Sequence, residues 1–387
     1  MRLTRQHELF RETIRVVLDR ECGSQTLTEW ERQGRMPVRE LYRALAGEGL
    51  LGLTLPEEDG GLGLDLGYSR IWAEELGRLT SGSPVMSLSA HTDIVLPVLV
   101  EAGSTAVRRT FVRSAVRGES VGALAVTEPG GGSDLGALRT TAEPVGDHLR
   151  LNGSKAYITN GSVAGFALVL CHIRPPGAPA GLDTLSLLVV PTDLPGVTRH
   201  RHTVKLGHHA CDHGSLEFTD VLVPREFLLG APGSGYALQT GVFARERAFL
   251  AAAMVASARH ALEEAAGHAR ERVVLGRPLL DHQSAGFRLA ELDAELSLLD
   301  PYVGHVFDLL AEGAPALRQS SVAKLRAARL LREVADLGLQ LHGAAGYLDG
   351  GAVERRYRDA RAFSLAGGAE EALLHLLVGH LPTGTRP

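Results

Sequence analysis

The C-terminal part of the chain holds long helical stretches with few helix breakers, and this feature constrains the fold most. Between Tyr236 and His380 the sequence is rich in Ala, Leu, Arg and Glu, which favour helices. The pattern predicts helices over 236–270, 282–312, 316–340 and 366–380. Helices of this length must bury apolar stripes against one another, so we predict a helical bundle with a large assembly surface.

The two regions before the bundle differ in their hydrophobic patterns. Up to about residue 117, apolar residues recur at helical spacing, for example Leu9, Ile14, Val17 and Leu18. From about 121 to 230, short apolar and β-branched runs alternate with turn residues, which predicts an antiparallel β domain. We predict strands at 121–126, 166–171, 185–190 and 215–218, with turns that include Asn152-Gly153 and Pro175-Pro176-Gly177. The fold class is therefore mainly α with a central β domain, divided into 1–118, 119–231 and 232–387.

Length, charge and cysteine usage narrow the possible classes of protein. A chain of 387 residues exceeds one compact core, in agreement with several domains. A net charge of −5 without a long basic run argues against a nucleic-acid partner. The first 21 residues are charged throughout, and the apolar runs are far shorter than a membrane helix. The short apolar runs lead us to expect no membrane partner. The three cysteines form no CxxC pair, so we expect no disulfides and a cytoplasmic location.

The segment Thr127-Glu128-Pro129-Gly130-Gly131-Gly132-Ser133-Asp134 follows an apolar strand. Glycines let a ligand approach the backbone, whose N–H groups can then bind flavin or phosphate oxygens. A glycine run is also compatible with a simple turn. A second segment, Tyr157-Ile158-Thr159-Asn160-Gly161, places a ring, a hydroxyl and an amide at one strand end. That set suits a flat ligand with polar edges, although an ordinary hairpin has the same composition.

Together, these segments resemble the acyl-CoA dehydrogenase family. The family's TEPxxGSD and W-I-T-N segments occur in the same order and at this spacing, with Tyr157 in place of the Trp. The resemblance covers nearly the whole chain. Its further segments are Lys205-Leu206-Gly207, Phe218-Thr219-Asp220-Val221, Val223-Pro224, Glu271-Arg272, Asp281-His282-Gln283, Gln340-Leu341-His342-Gly343-Ala344-Ala345-Gly346-Tyr347 and Arg358-Asp359-Ala360.

This resemblance implies a fold, a cofactor and an assembly. The fold is an N-terminal helical domain, a middle β domain and a C-terminal four-helix bundle, and FAD is held between the subunits of a homodimer or homotetramer. The flavin or thioester site is implied at Leu124, Thr127, Ser133, Tyr157 and Thr159. The FAD pyrophosphate and adenosine side is implied at Arg272 and Gln283, and at Gln340, Gly343 and Gly346 of a neighbouring subunit. The implied substrate contacts are Ser133 and Arg247.

The catalytic base is the point where this chain departs from many family members. Removal of an α-proton beside a thioester needs a carboxylate at the reacting carbon. Many members carry that Glu in a Y-E-G-T segment, where this chain has Gly367. The family's second base position corresponds to Glu246, which precedes Arg247. Its neighbours one helical turn away, Val242, Phe243, Phe249 and Leu250, are all apolar, so desolvation should raise its pKa.

Several alternatives remain open at this point. Glu246 could instead be a buried carboxylate paired with an arginine from another element. Glu370 and Glu371 lie one turn beyond Gly367 and could serve as the base, or face solvent. The histidines between 200 and 213 fit no metal-ligand spacing well, so we expect no metal.

The function that we expect is FAD-dependent α,β-dehydrogenation of an acyl thioester, with Glu246 as the base and flavin N5 as the hydride acceptor. The substrate is an acyl-CoA or an acyl-carrier-protein thioester, and the electrons pass to an electron-transfer flavoprotein or a similar acceptor. A flavin monooxygenase on the same fold and a non-catalytic binding protein are the alternatives. The sequence does not indicate the acyl group.

Overall fold

Helices form the N-terminal domain of the structure, a computed structural model that describes residues 3–174 and 179–381. The first helix is capped at Thr4, whose hydroxyl accepts a hydrogen bond from the backbone N–H of His7. Its buried face includes Ile14, Val17 and Leu18, as predicted, whereas Leu9 is exposed. The helices are α1 (Arg5–Cys22), α2 (Ser24–Gln33), α3 (Val38–Gly47), α4 (Leu66–Gly77), α5 (Ser83–Ser89), α6 (Leu96–Ala102), α7 (Thr105–Val107) and α8 (Arg113–Val116).

A π-helical turn, Ala90–Val95, joins α5 to α6. Pro97 is the second residue of α6, and because proline has no backbone N–H, it cannot donate the regular i→i−4 hydrogen bond there. The combined stretch Ser83–Ala102 is long and apolar enough to cross a membrane, yet 72% of the tested window is buried inside the protein. The core helix of a soluble protein passes the same test, so this finding is weak evidence for a span.

The middle domain is built on one eight-stranded sheet. Its spatial order is β6-β7-β3-β2-β4-β5-β8, and β1 adds to β4. Most pairings are antiparallel, as predicted, but β1 and β2 both run parallel to β4. The strands are β1 (Gly122–Ala125), β2 (Thr141–Val145), β3 (His148–Thr159), β4 (Phe166–Ile173), β5 (Leu185–Pro191), β6 (Val197–Arg201), β7 (His213–Pro224) and β8 (Leu228–Leu229).

The turn predicted at Asn152-Gly153 is wrong, because both residues lie inside the 12-residue strand β3. The register of β3 against β7 shifts between Leu151 and Gly153, which marks a bulge. Asn152 exchanges hydrogen bonds with Asp220 on β7. The Asn-Gly pair therefore forms part of a bulge, and the chain reverses earlier, between β2 and β3. The turn predicted at Pro175-Pro176-Gly177 lies outside the described residues.

The C-terminal domain contains the long helices that the sequence predicts. They are α9 (Gly235–Glu271), α10 (Gln283–Ala311), α11 (Leu317–His342) and α13 (Glu370–Val378). Helix α12 (Ala352–Phe363) is not predicted from the sequence, because one face of it is buried although the sequence is rich in Arg. A small hairpin of β9 (Val273–Val274) and β10 (Arg277–Pro278) connects α9 to α10.

Helix α9 is the central element of the molecule. It packs against α11 and α10 within its own domain and against α4 of the N-terminal domain. At the α4 contact, a Cβ on Gly77 would lie 2.1 Å from the carbonyl oxygen of Ala253, so only glycine allows this approach. Burial on both sides explains why the middle of α9 is almost entirely Ala, Phe, Leu and Met. The N-terminal half of α9 faces the sheet, and a cavity opens there.

Candidate active site

A cavity of about 750 Å³ lies where the three domains meet. The π-helical turn contributes Ala90 and Ile94 to one wall, and α9 contributes another. The sequence-predicted residues that line it are Leu124, Thr127, Ser133, Tyr157, Thr159, Glu246, Arg247 and Gly367. Seven residues proposed for flavin, thioester or proton transfer are therefore brought together from the β domain and α9, and Gly367 joins them from the loop before α13.

A buried ion pair between Glu128 and Lys155 anchors the loop Thr127–Asp134. The Glu128 carboxylate accepts hydrogen bonds from the backbone N–H groups of Arg139 and Thr140, and from the Thr140 hydroxyl. The Lys155 Nζ, which is fully buried, donates to the same carboxylate at 2.9 Å. Burial alone would raise the pKa of Glu128, but the Thr140 hydrogen bonds and the Lys155 charge hold it below its ordinary value. The glycine run is thus anchored rather than free.

The ion pair of Glu128 and Lys155 is not predicted from the sequence. The available signal was a lone acid inside the first motif and a lone lysine two residues before the second. Lys155 also donates to the Val126 carbonyl at 2.9 Å, and the Ala156 N–H donates to the Thr127 carbonyl at 2.8 Å. These bonds tie the first motif to β3, which carries the second. The two motifs therefore form one unit.

The end of β3 presents Tyr157 and Thr159 to the cavity. Tyr157 adopts a positive φ of 60°, which is uncommon for a residue with a side chain and occurs at the second register shift of β3. Its ring is largely exposed and stacks on His202 at 5.7 Å between centroids. Thr159 is half-buried, and its hydroxyl lies 3.4 Å from the Nε2 atom of His213. A ring and a hydroxyl thus border the cavity.

The amide of Asn160 does not face the cavity, which corrects the interpretation of the second motif. Asn160 is completely buried and has a positive φ of 63°. Its amide donates to the Tyr42 hydroxyl and to the Ser87 carbonyl, and it accepts from the Ser87 hydroxyl. Asparagine tolerates this left-handed backbone better than most residues. Its function in the fold is to join the β domain to α3 and α5.

Glu246 lines the cavity from α9, and its side chain has no hydrogen bond or ion pair within the described residues. Glu246 is partly exposed, and its exposed part faces the cavity. Burial raises the pKa of its carboxyl, while the positive charges of Arg247 and Lys324 work in the opposite direction. An unpaired carboxylate with a raised pKa inside a cavity is typical of a general base. The alternative of an ion pair with an arginine of another element is not observed.

Gly367 lies beside Glu246 at the cavity wall. Gly367 has a positive φ of 66°. A Cβ placed on it would be 3.5 Å from the Glu246 Oε1 atom and 3.1 Å from the Leu250 Cδ1 atom. A larger residue at 367 would therefore compete with the Glu246 side chain for room.

Two buried cations hold the turn that contains Gly367. The Arg247 Nε atom donates to the Gly367 carbonyl at 2.9 Å, and its Nη1 atom donates to the Ser321 hydroxyl at 3.0 Å. The Lys324 Nζ atom donates to the Gly368 carbonyl at 2.7 Å. Burial lowers the pKa of Lys324 to about 8, although the Glu246 charge works against this shift. Arg247 lines the cavity while its Nε and Nη1 atoms are engaged by protein.

Glu370 and Glu371 do not enter the cavity. The Glu370 carboxylate accepts from Arg329 and Arg332, each at 3.0 Å. Burial would raise the pKa of Glu370, but the hydrogen bond and charge of Arg329, with the charge of Arg332, lower it. Glu371 is exposed at the start of α13. A carboxylate held by two arginines is a weak base, which favours Glu246.

The second predicted group lies far from the cavity within one chain. Arg272 ends α9, roughly 39 Å beyond Glu246 at about 1.5 Å of rise per residue. Gln340 and Gly343 lie nearby at the end of α11, since His268 stacks on His342 at 4.0 Å between ring centroids. Arg272, Gln283, Gln340 and Gly343 are exposed, whereas Gly346 is buried. One chain therefore brings together only half of the predicted cofactor residues.

The histidines between 200 and 213 make protein contacts rather than a cluster. Within residues 3–174 and 179–381, no group of three or more His, Cys, Asp or Glu side chains could hold a metal ion. His202 bonds to Ser215, and His209 to the Lys205 carbonyl.

The cavity fits the flavin that the resemblance implies. The hydroxyls of Thr127, Ser133 and Thr159 and the ring of Tyr157 lie along one wall, as a flat heterocycle with polar edges requires. A Cβ on Gly132 would be 2.9 Å from the Thr127 Oγ1 atom, so the loop packs at the closest distance that glycine permits. These residues would hold the ring, and the exposed group at Arg272 would hold the distal part of a cofactor from another subunit.

Comparison with known proteins gives a consistent result. Residues 4–119, 123–221 and 233–381 match the family models for the N-terminal, middle and C-terminal domains of acyl-CoA dehydrogenase. The chain is 32% identical over 373 residues to the mitochondrial long-chain specific acyl-CoA dehydrogenase of Sus scrofa, covering 96% of this chain and 85% of the relative.

Solved structures agree. The acyl-CoA dehydrogenase from Geobacillus kaustophilus has a TM-score of 0.93 and 33% identity, covering 98% of this chain and 99% of the other. The prolyl acyl carrier protein oxidase AnaB has a TM-score of 0.92 and 25% identity, covering 98% and 100%. The chain is therefore a member of the acyl-CoA dehydrogenase family, FAD-dependent oxidoreductases that act on CH–CH groups.

Proposed function

We propose that the chain removes two hydrogens from the α- and β-carbons of an acyl thioester, with Glu246 as the catalytic base. One observation carries this proposal: the carboxylate of Glu246 is unpaired in the cavity, at the point where a side chain on residue 367 would lie. The proton leaves the α-carbon for the Glu246 carboxylate, and a hydride leaves the β-carbon. Bound FAD supplies the acceptor for that hydride. The products are an enoyl thioester, a neutral Glu246 and reduced FAD.

The residues around Glu246 suit this role. A base must be ionised before it takes the proton, and burial alone would keep Glu246 protonated. The charges of Arg247 and Lys324 oppose that effect and favour the ionised carboxylate. Their hydrogen bonds to the carbonyls of Gly367 and Gly368 keep both cations in place without direct contact with the base. Contact would pair the carboxylate and weaken it.

We further propose that each cofactor is shared between subunits of a homodimer or homotetramer. Arg272 lies roughly 39 Å from Glu246 along α9, so one chain does not bring the distal group of predicted FAD residues to the cavity. Exposed apolar side chains lie near the distal half, among them Val273, Leu275 and Tyr347. A neighbouring subunit would cover these side chains and bring its own Arg272 to the cavity.

The carrier, the acceptor and the location remain proposals. The substrate class is an acyl-CoA or an acyl-carrier-protein thioester, and the likeness to the prolyl acyl carrier protein oxidase AnaB supports the second possibility. Electrons would leave for an electron-transfer flavoprotein or a similar acceptor. The cysteines Cys22, Cys171 and Cys211 are free and buried, which is compatible with the cytoplasm that we propose.

An anaerobic flavin-reduction screen tests the proposal. The purified holoprotein is mixed with short, long, branched and aromatic acyl thioesters, each offered on CoA and on acyl carrier protein. Loss of the oxidised-flavin absorbance with at least one thioester, and none with NAD(P)H, is the expected result. Bleaching by NAD(P)H alone would instead favour the monooxygenase, and a colourless protein would favour a non-catalytic role.

A further inference from the structure

The π-helical turn Ala90–Val95 forms one wall of the cavity. Ala90 and Ile94 line the cavity, whereas His91 between them is completely buried. The side chains of Leu124 and Ile94 make this part of the cavity apolar, as an acyl chain requires. π-helical turns are rare and occur frequently at functional sites. The position of the turn therefore decides how much room an acyl chain has.

His91 joins the turn to backbone groups of two neighbouring elements. The Gly122 N–H donates to the His91 Nδ1 atom at 3.0 Å, and the Ala115 carbonyl lies 3.1 Å from the Nε2 atom. Both partners have fixed roles, because an amide nitrogen only donates and a carbonyl only accepts. The ring proton is therefore on Nε2, and the ring makes both bonds as a neutral imidazole. Burial keeps it neutral, since it lowers the pKa of His91 to about 4 although the Ala115 carbonyl works in the opposite direction.

The turn also packs directly on the first residue of β1. A Cβ on Gly122 would lie 2.6 Å from the Val95 Cγ1 atom, so a side chain there would force the turn away from the strand. On another side, the Asp93 carboxylate accepts a hydrogen bond from the Ser69 hydroxyl of α4 at 2.8 Å. The wall is thus fixed to the β domain by His91 and to α4 by Asp93.

We propose that His91 is a positioning residue that sets the length of acyl chain that the cavity accepts, by holding the π-helical turn against β1. Its ring fills the space behind the wall, and its bond to Gly122 stops the turn from moving away from the strand. Without the ring, Ala90 and Ile94 can retreat into the space that it leaves, and a longer chain fits. This inference rests on the proposed function, in which the α-carbon of the acyl thioester lies at Glu246.

The acyl-length profile of His91→Ala tests this role. The FAD-loaded wild type and variants are assayed for kcat/KM with straight-chain acyl thioesters of increasing length. A methylene group in an apolar pocket changes specificity by about tenfold or more. We therefore compare the best thioester of the wild type with the first one that is too long for it. His91→Ala is expected to raise kcat/KM for the longer thioester, relative to the shorter, by about tenfold.

Binding without turnover gives a second readout. The matching thioethers lack the carbonyl that makes the α-protons acidic, so their dissociation constants, measured by calorimetry, report the wall rather than the base. His91→Ala should shift their ratio in the same direction. His91→Asn is the conservative variant and should keep the wild-type profile, because its Oδ1 atom can accept from the Gly122 N–H. Val107→Ala, a buried change on α7 in the same apolar cluster, is the matched control and should also keep it.

The outcomes separate this inference from the proposed function. An unchanged profile in His91→Ala would overturn the inference, and so would an equal change in His91→Asn or Val107→Ala. In each case, thioester-dependent flavin reduction by the wild type would leave the proposed function standing. A wild type whose flavin no thioester reduces would overturn the proposed function, and the thioether ratios would still test the wall. If His91→Ala yields no folded holoprotein, His91→Leu takes its place, because it fills more of the space but makes neither bond, and a smaller change in the same direction is expected.

Discussion

A carboxylate moved from residue 246 to residue 367 is expected to restore part of the activity that is lost with Glu246. The structure places both positions at one point, since a Cβ on Gly367 would be 3.5 Å from the Glu246 Oε1 atom. Glu246→Gln should slow flavin reduction by the factor of about 10²–10⁴ that a general base typically supplies. Adding Gly367→Glu returns a carboxylate to the same part of the cavity.

The structure also limits the size of this rescue. A side chain at a φ of 66° costs roughly 1–2 kcal/mol relative to glycine. The new Cβ would approach the Leu250 Cδ1 atom to 3.1 Å, and the longer Glu side chain also competes for room with the glutamine side chain introduced at position 246, which must turn aside. Because about 1.4 kcal/mol corresponds to a factor of ten, we expect the double variant to recover roughly 10-fold to 100-fold over Glu246→Gln.

Single-turnover flavin reduction by the best thioester of the screen measures this rescue. The matched control is Glu246→Gln with Gly367→Ala, which introduces the same backbone strain without a carboxylate and should show no recovery. FAD content is checked in each variant, so that loss of cofactor is not mistaken for loss of the base. Equal rates for the Glu and Ala variants at 367 would refute the idea that the two positions serve one substrate carbon.

The other predictions concern the loop, the assembly and pH. Lys155→Met leaves the buried Glu128 without its cation and should destabilise the protein by about 3–5 kcal/mol, measured as a lower urea midpoint and lower FAD content. Arg272→Ala and Glu246→Gln should each be inactive, yet a mixture refolded together should regain about a quarter of full activity, because a shared site leaves one intact site in each mixed pair; no recovery would argue for sites within single chains. The rate of flavin reduction should fall as pH is lowered through the raised pKa of Glu246, since only the ionised form accepts a proton, and stopped-flow rates of Glu246→Gln should lack this decrease.

The sequence predicts the long helices and the helical–β–helical order because these depend on local composition and periodicity. The family resemblance implies Glu246 as the base, and its apolar neighbours Val242, Phe243, Phe249 and Leu250, which leave it without a local partner, support that prediction. The structure adds that its surroundings are a cavity rather than an ion pair. The Asn152-Gly153 pair predicts a turn from local sequence, whereas in the fold it lies at a bulge inside β3.

The parts that the sequence missed are long-range contacts between polar groups. Lys155 and Glu128 are 27 residues apart and look like surface charges in isolation. Asn160 was assigned to a ligand because its partners, Tyr42 and Ser87, come from a different domain. Lys324 holds the Gly368 carbonyl across 44 residues. Such pairings are set by how α3, α5, α11 and the β domain assemble, and local pattern carries no information about them.

The most direct measurement of the central claim is the rate at which Glu246→Gln reduces its flavin in a single anaerobic turnover with a thioester that reduces the wild type. Gln keeps the shape of the side chain and removes its basicity. The account predicts normal FAD content, normal thioester binding and a rate lower by at least about a hundredfold, within the range for loss of a general base. Glu370→Gln, whose carboxylate is held by Arg329 and Arg332, should reduce its flavin at close to the wild-type rate. A wild-type rate in Glu246→Gln would contradict the account and move the search for the base away from α9.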